Sequence, residues 1–266
     1  MPELPEVEVA KKTLSPCVLG KKINSVLVTR RQSIRTPLEE PELFAAWLKN
    51  RTMERIERHG KVLLFHLDGD MSLVFHFKLG AEVRCGDKAL EEIGGVAINF
   101  TDGTSLDFSS FALSEFHLMK TAELDRLGVL KAGADPLARS FSLKRFHELL
   151  PANKQVKAAL CDQTRILGIG NSWADEILWE ARLSPFRRSG DLTEKEFSEL
   201  YGKVKSTLRE GIRLGGESSF IDGRGRKGRY KRVVHGHAGR PCPRDRHPIE
   251  MVKRGRTTFW CPHCQK

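Results

Sequence analysis

The feature that most constrains this chain is a change of period at Gly133-Ala134-Asp135-Pro136-Leu137. Between residue 23 and about residue 118, apolar residues come in short β-like runs: Ile23–Thr29, Val62–Leu67, Leu73–Phe77, Ala97–Phe100 and Ser105–Phe108. Thr101-Asp102-Gly103-Thr104 places an Asp-Gly hairpin signal between the last two. After residue 137 the segments 142–150, 154–162, 172–182 and 193–213 set apolar residues three or four apart, the spacing of helices. The pattern predicts an α+β chain. An N-terminal β-sandwich (1–132) would be followed by a linker and helical domain (133–221) and by a C-terminal segment (222–266). Val7, Ala10 and Leu14 predict one helix ahead of the strands, with Pro5 acceptable at its start, and Leu43–Leu48 could be a short helix within the strand-rich part.

Charge is distributed as unevenly as period. The 266 residues carry a formal charge of +11, yet 222–266 alone hold 13 Lys or Arg against three Asp or Glu, so the rest is close to neutral. A basic tail on a folded protein reads as a polyanion-binding surface, most often for nucleic acid. Leading into it after Gly215-Gly216, Glu217–Lys231 is rich in Gly and Arg and is expected to be a mobile loop that orders on an anionic ligand. Absence of an apolar window of about 18 residues, and of a signal peptide, leads to the expectation of a soluble monomer with no membrane partner. For a bacterial source that means the cytoplasm, in association with the nucleoid.

Six cysteines are present, with Cys17, Cys85 and Cys161 scattered and Cys242, Cys261 and Cys264 crowded at the end. That spacing suggests free thiols plus a metal site. Cys261-Pro-His-Cys264 is a Cys-x2-Cys knuckle, and three thiolates suit one structural Zn2+. His247, at Cys-x4-His spacing from Cys242, is the favoured fourth ligand. Asp245 stands at the Cys-x2 position and is the alternative, being a harder donor. The metal would hold a hairpin, Arg254-Gly-Arg256-Thr-Thr-Phe-Trp260, too small to fold by burial alone, with Arg254 and Arg256 offered to phosphates.

The chain starts Met1-Pro2-Glu3-Leu4-Pro5-Glu6. Removal of Met1 would free the secondary amine of Pro2. An α-amino group titrates near pH ~8, so a useful fraction is nucleophilic at neutral pH. Its adduct with an aldehyde-level carbon is a cationic iminium, an electron sink for elimination. Glu3 could protonate a leaving or ring oxygen.

Taken together, three motifs resemble the Fpg/Nei family of DNA glycosylases: Pro2-Glu-Leu-Pro-Glu-Val-Glu8, Lys157-Ala-Ala-Leu-Cys-Asp-Gln163 through Gly168-Ile-Gly-Asn171-Ser-Trp-Ala-Asp-Glu176, and Gly255-Arg-Thr-Thr-Phe-Trp-Cys-Pro-His-Cys-Gln265. The resemblance spans essentially the whole length. It implies a base-excision-repair glycosylase and apurinic-site lyase acting on oxidised or ring-opened bases in damaged double-stranded DNA. Pro2 would attack C1′ of a flipped nucleotide, Glu3 would protonate the ring oxygen, and β,δ-elimination would cut the strand. Lys61 would grip phosphates beside the lesion and Glu6 would steady the site. Lys157, Asn171 and Arg256 would clamp the backbone. His76 would be a further DNA-binding residue, three before Leu79, which takes the place of the family's wedge methionine. Phe111 is kept, whereas the wedge arginine's position holds Ser109. A serine cannot span the gap left by the flipped base, so preference for an opposing cytosine, and for 8-oxoguanine, does not carry over. The second expectation is a non-catalytic binder of DNA or damage on the same fold, which a retained Met1 would produce.

Overall fold

The computed structural model describes residues 1–86, 94–109 and 114–266, without the side chain of Arg254. The chain divides into two compact units, one made of Met1–Leu130 with Ser218–Gly228, the other of Lys131–Glu217 with Arg229–Lys266. This differs from a three-part reading. The C-terminal hairpin belongs with the helices, and a short stretch of the basic segment belongs with the sandwich.

In the first unit, α1 (Leu4–Val18) precedes β1 (Ile23–Val28), β2 (Ile34–Thr36), α2 (Pro41–Leu48), β3 (Met53–His59), β4 (Val62–Leu67) and β5 (Met71–His76). Then come β6 (Glu82–Gly86), β7 (Gly95–Phe100), β8 (Ser105–Ser109) and β9 (Glu115–Lys120). They form two sheets, ordered β1-β7-β8-β6 and β2-β9-β5-β4-β3. The Asp-Gly signal is borne out. Gly103 takes φ +84, Phe100 N–H donates to Thr104 O, and β7 runs antiparallel to β8. Every residue of β4 is buried. Phe65, Phe75, Phe108 and Phe116 fill the interior as tilted and edge-on ring pairs 4.8–5.9 Å apart, worth about 0.5–1.5 kcal/mol per pair beyond their area.

Helix α1 buries Leu4, Val7, Ala10, Leu14 and Val18 against strands of both sheets, β3, β4 and β6. Beside that stripe Glu8 accepts from Arg58 Nε of β3 at 2.8 Å. Burial raises the Glu8 pKa, but hydrogen bonds and charge from Arg58 and Lys11 outweigh it and hold the carboxyl below its usual range. Cys17 and Cys85, expected as free thiols, are joined by a disulfide, their Cα atoms 6.3 Å apart. The last turn of α1 lies against β6, which brings the two together from 68 positions apart.

The second unit contains α3 (Leu143–Leu149), α4 (Val156–Leu160), α5 (Asn171–Glu180), α6 (Glu194–Arg213) and the hairpin β10 (Glu250–Arg254) with β11 (Arg256–Trp260). Helix α6 starts on a Thr193/Glu196 capping box and buries Phe197, Leu200, Val204 and Leu208. A Cβ at Gly211 would overlap the Trp173 ring, so the glycine sets how closely α6 approaches α5. Among the described residues no helix is long and apolar enough to cross a membrane.

Candidate active site and nucleic-acid interface

The N-terminal motif is built as a helix cap. Glu3 is extended at the N-cap of α1, and Glu6 Oε2 accepts its backbone N–H at 3.0 Å. Both carboxylates are buried, Pro2 is half-buried, and Met1 is exposed ahead of them. Glu6 thus fixes the backbone at Glu3, and the buried face of α1 anchors the pair to the sandwich. A terminal amine needs that kind of support to act as an aimed nucleophile.

Lys61 follows Gly60 (φ +59) in the tight connection between β3 and β4, the strands on which α1 packs. It is buried and has no ion pair among the described residues. His76 stands opposite Val62, the neighbour of Lys61, at the end of β5. Its Nδ1 accepts the Lys78 N–H at 3.0 Å, so Nδ1 carries no proton and Nε2 is left as the donor. Burial, with the charge of Lys78 and a smaller contribution from Lys61, pushes its pKa down to about 4 against the pull of Glu115, so the ring is neutral at physiological pH. Leu79 lies just past β5, held between Lys78 (φ +49) and Gly80 (φ +80), and is 57% exposed. Ser109 ends β8, paired with Glu82 and Gly95. Phe111 lies outside the described residues.

In the second unit a buried polar network organises the hairpin. Lys157 Nζ contacts Asp175 Oδ1 at 2.7 Å and donates to Thr257 O (3.0 Å) and Thr258 Oγ1 (2.8 Å). Ion-paired to Asp175 and donating to Thr257 and Thr258, the buried Lys157 side chain acts as a strut beneath β11. Asn171, the first residue of α5 after the N-cap Gly170, donates Nδ2 to the same Thr257 carbonyl at 2.7 Å. It is half-buried at the start of α5. Arg256, next to Thr257 and one residue past Gly255 (φ +73), is exposed and makes no ion pair among the described residues.

Asp175 and Glu176 carry a role that sequence reasoning missed. Asp175 Oδ2 meets His235 Nδ1 at 2.7 Å and accepts the Phe259 N–H at 3.2 Å. Glu176 accepts the backbone N–H groups of Val233, Val234 and His235 at 2.8–3.0 Å. Burial raises the Glu176 pKa even against those three donors. The signal available was two adjacent acids inside an apolar helix, Trp173-Ala-Asp-Glu-Ile-Leu-Trp179.

At the C-terminus, Cys242, Asp245, Cys261 and Cys264 bring one ligand atom each within 4.8 Å of one another. Cys242 Sγ is 3.9 Å from Cys264 Sγ, and Cys261 Sγ is 3.4 Å from Asp245 Oδ2. His247 is not in this set. The turn is closed by Arg246 N–H to Cys242 O and by Cys242 N–H to His247 O, both 2.8 Å, with Arg246 at φ +66. That geometry aims the Cys-x2 position, Asp245, at the sulfurs. It leaves His247 exposed, its ring stacked on His263 at 4.4 Å. Burial and the neighbouring Cys261 and Cys242 push the Cys264 thiol up to about 12. Burial also raises the Cys261 thiol, whereas at Cys242 burial is outweighed by hydrogen bonds from Trp179 and the backbone, which hold that thiol below its usual range. The cluster thus offers one readily ionised sulfur beside two that a soft cation would relieve.

A family model of the "Formamidopyrimidine-DNA glycosylase N-terminal domain" matches residues 1–111, and one of the "Formamidopyrimidine-DNA glycosylase H2TH domain" matches 132–222. The chain is 37% identical to formamidopyrimidine-DNA glycosylase of Bacillus licheniformis and 36% identical to that of Geobacillus kaustophilus, each over the full length of both proteins. It belongs to the formamidopyrimidine-DNA glycosylase family. Solved structures agree. The Lactococcus lactis Fpg bound to DNA with an abasic site matches at TM-score 0.89 and 29% identity, covering 99% of each chain. The MutM (Fpg) protein of Thermus thermophilus matches at 0.87 and 32%, covering 99% of this chain and 98% of the other.

Proposed function

We propose that this chain is a DNA glycosylase that removes oxidised or ring-opened bases and then acts as a lyase at the abasic site it creates. The carrying observation is the cap at the start of α1, where the Glu6 carboxylate holds the Glu3 amide and so fixes the residue next to Pro2. Once Met1 is removed, the Pro2 nitrogen lone pair attacks C1′ of an everted nucleotide. The base leaves with the glycosidic electrons, and Glu3 supplies a proton to the opening sugar ring. The iminium formed makes the C2′ proton acidic. Its loss expels the 3′ phosphate, and a second elimination expels the 5′ phosphate.

The remaining residues divide between holding and positioning. Lys61 and Arg256 serve as cations for the phosphates near the lesion, Asn171 and the first turn of α5 take another phosphate, and Leu79 is an apolar wedge for the space the base leaves. His76 is a neutral Nε2–H donor beside Lys61. Related Lactococcus lactis Fpg structures hold abasic-site DNA, Fapy-dG-containing DNA and oxidised-pyrimidine-containing DNA, which supports a lesion range of both base classes. Cys242, Asp245, Cys261 and Cys264 would hold one Zn2+, which supplies no chemistry to the reaction and ties the ends of the basic hairpin together.

Borohydride reduction in the presence of abasic-site duplex tests this reading. Wild-type protein lacking Met1 should give a covalent protein–DNA adduct that Pro2→Gly reduces strongly. Tight binding with no adduct would favour a binder that kept the fold and lost turnover.

A further inference from the structure

We propose that Cys17 and Cys85 are a reversible oxidation site whose disulfide state sets how the basic turn 222–227 is docked. The turn is a compact unit. Asp222 Oδ1 accepts the N–H groups of Arg224 (2.9 Å) and Arg226 (3.0 Å), and Oδ2 accepts Arg226 Nε at 2.9 Å. Folded around that carboxylate, Arg224, Arg226 and Lys227 are all exposed. The expectation of a loop that waits for an anion to order it therefore gives way to a turn with internal anchors.

Two hydrogen bonds dock the turn, and they go to different elements. Gly223 N–H donates to Thr13 Oγ1 of α1 at 3.0 Å, and the Cys85 N–H of β6 donates to Gly223 O at 2.9 Å. β6 is the edge of its sheet, so Gly223 covers an amide that would otherwise have no sheet partner. A Cβ on Gly223 would fall 2.6 Å from Leu14 Cδ2, which shows how flush the backbone lies on α1. Thr13 and Cys17 are one helical turn apart, so the disulfide joins α1 to β6 at the two elements that hold Gly223. With the bridge closed, both anchors are fixed relative to each other. With it open, α1 and β6 are free to separate locally, and one residue cannot keep both bonds.

The chemistry balances with a peroxide as oxidant. One thiolate attacks the peroxide O–O bond to give a sulfenic acid and water. The second thiol displaces the sulfenic oxygen as a second water, forming the S–S bond. A dithiol reverses the step, delivering two electrons and two protons and ending as a disulfide itself. Both cysteines are half-exposed, within reach of a small oxidant. The consequence for DNA rests on the proposed function, since three oriented cations on a fixed turn bind a polyanion better than three on a loose one.

The test uses the metal-loaded, full-length protein in reduced form and after hydrogen peroxide. Non-reducing digestion should give a Cys17–Cys85-linked peptide pair only after oxidation, and dithiothreitol should release it. Amide exchange across 222–227 should be roughly fivefold faster in the reduced form, and affinity for a duplex with a tetrahydrofuran abasic analogue roughly fivefold weaker. Cys17→Ser/Cys85→Ser should show the reduced values in both states. So should Gly223→Ala, which keeps the bridge and undocks the turn. Absence of the linked pair after peroxide, or equal exchange in the two states, overturns the proposal. If the pair and the exchange change appear while neither form binds DNA, the couple stands and the DNA reading fails.

Discussion

Lys157 and Asp175 meet at 2.7 Å with almost no solvent on either side chain, and through Thr257 and Thr258 this ion pair supports the strand that begins with Arg256. Removing one partner strands a charge in the interior. Lys157→Ala should therefore lower unfolding free energy by about 3–5 kcal/mol, measured by denaturant titration. With the Lys157 ammonium engaged by Asp175, Thr257 and Thr258, DNA binding by the fraction still folded should keep its salt slope. A slope reduced by one unit would return Lys157 to the DNA contacts.

Arg256 gives the opposite signature. It is exposed at the end of the hairpin, and its loss costs the fold little. Arg256→Ala should weaken binding about equally for damaged and undamaged duplexes and lower the slope of log K against log salt by about one unit. An unchanged slope would remove it from the phosphate contacts.

The pH dependence of stability should carry the mark of His76. Its pKa falls from about 6.5 in the unfolded chain to about 4 in the fold. Between those values the unfolded state holds more protons than the native state, so stability rises with pH there. Acidification from pH 7 should leave stability nearly flat until about 6.5 and erode it down to about 4. Glu8, with its depressed pKa, adds a loss of its own below the ordinary carboxylate range. His76→Gln should flatten the upper part of the curve and leave the lower part, as followed by urea midpoints at each pH.

How much of this could be read from the residues depended on whether the determining partner was near in sequence. The α1 helix, with its Val7, Ala10 and Leu14 stripe and Pro5 near its start, is local, and the Asp-Gly hairpin is local too. Both were legible. β3 and β9 were not: Met-Glu-Arg-Ile-Glu-Arg-His is half charged and becomes a strand by pairing with the apolar β4 that follows it, and Glu-Phe-His-Leu-Met-Lys does so by pairing with the distant β2 and β5. The disulfide partners are 68 positions apart and Lys157 is 100 from Thr257. Such a separation gives a lone lysine before Ala-Ala-Leu no sign of burial. In the metal cluster the spacing was legible and the ligand choice was not. It turns on Arg246 adopting a left-handed backbone, which directs the residue before it inward.

That choice yields the last prediction. Asp245 is the carboxylate nearest the sulfurs, and its own partners are the His247 N–H at 3.0 Å and His263 Nδ1 at 3.1 Å. These donors outweigh partial burial and hold its pKa down at about 2, so it offers an ionised oxygen at any working pH. Asp245→Ala should lose zinc to a chelator far faster than the native protein. His247→Ala, which removes an exposed ring stacked on His263, should lose it at nearly the native rate. Asp245→Cys should tighten retention by replacing a hard oxygen with a soft sulfur. In the cobalt-substituted protein that last change should strengthen the thiolate-to-metal absorption, a readout independent of catalysis. If instead His247→Ala releases the metal and Asp245→Ala keeps it, the turn must rearrange around Arg246 when zinc binds, and the imidazole is the fourth ligand.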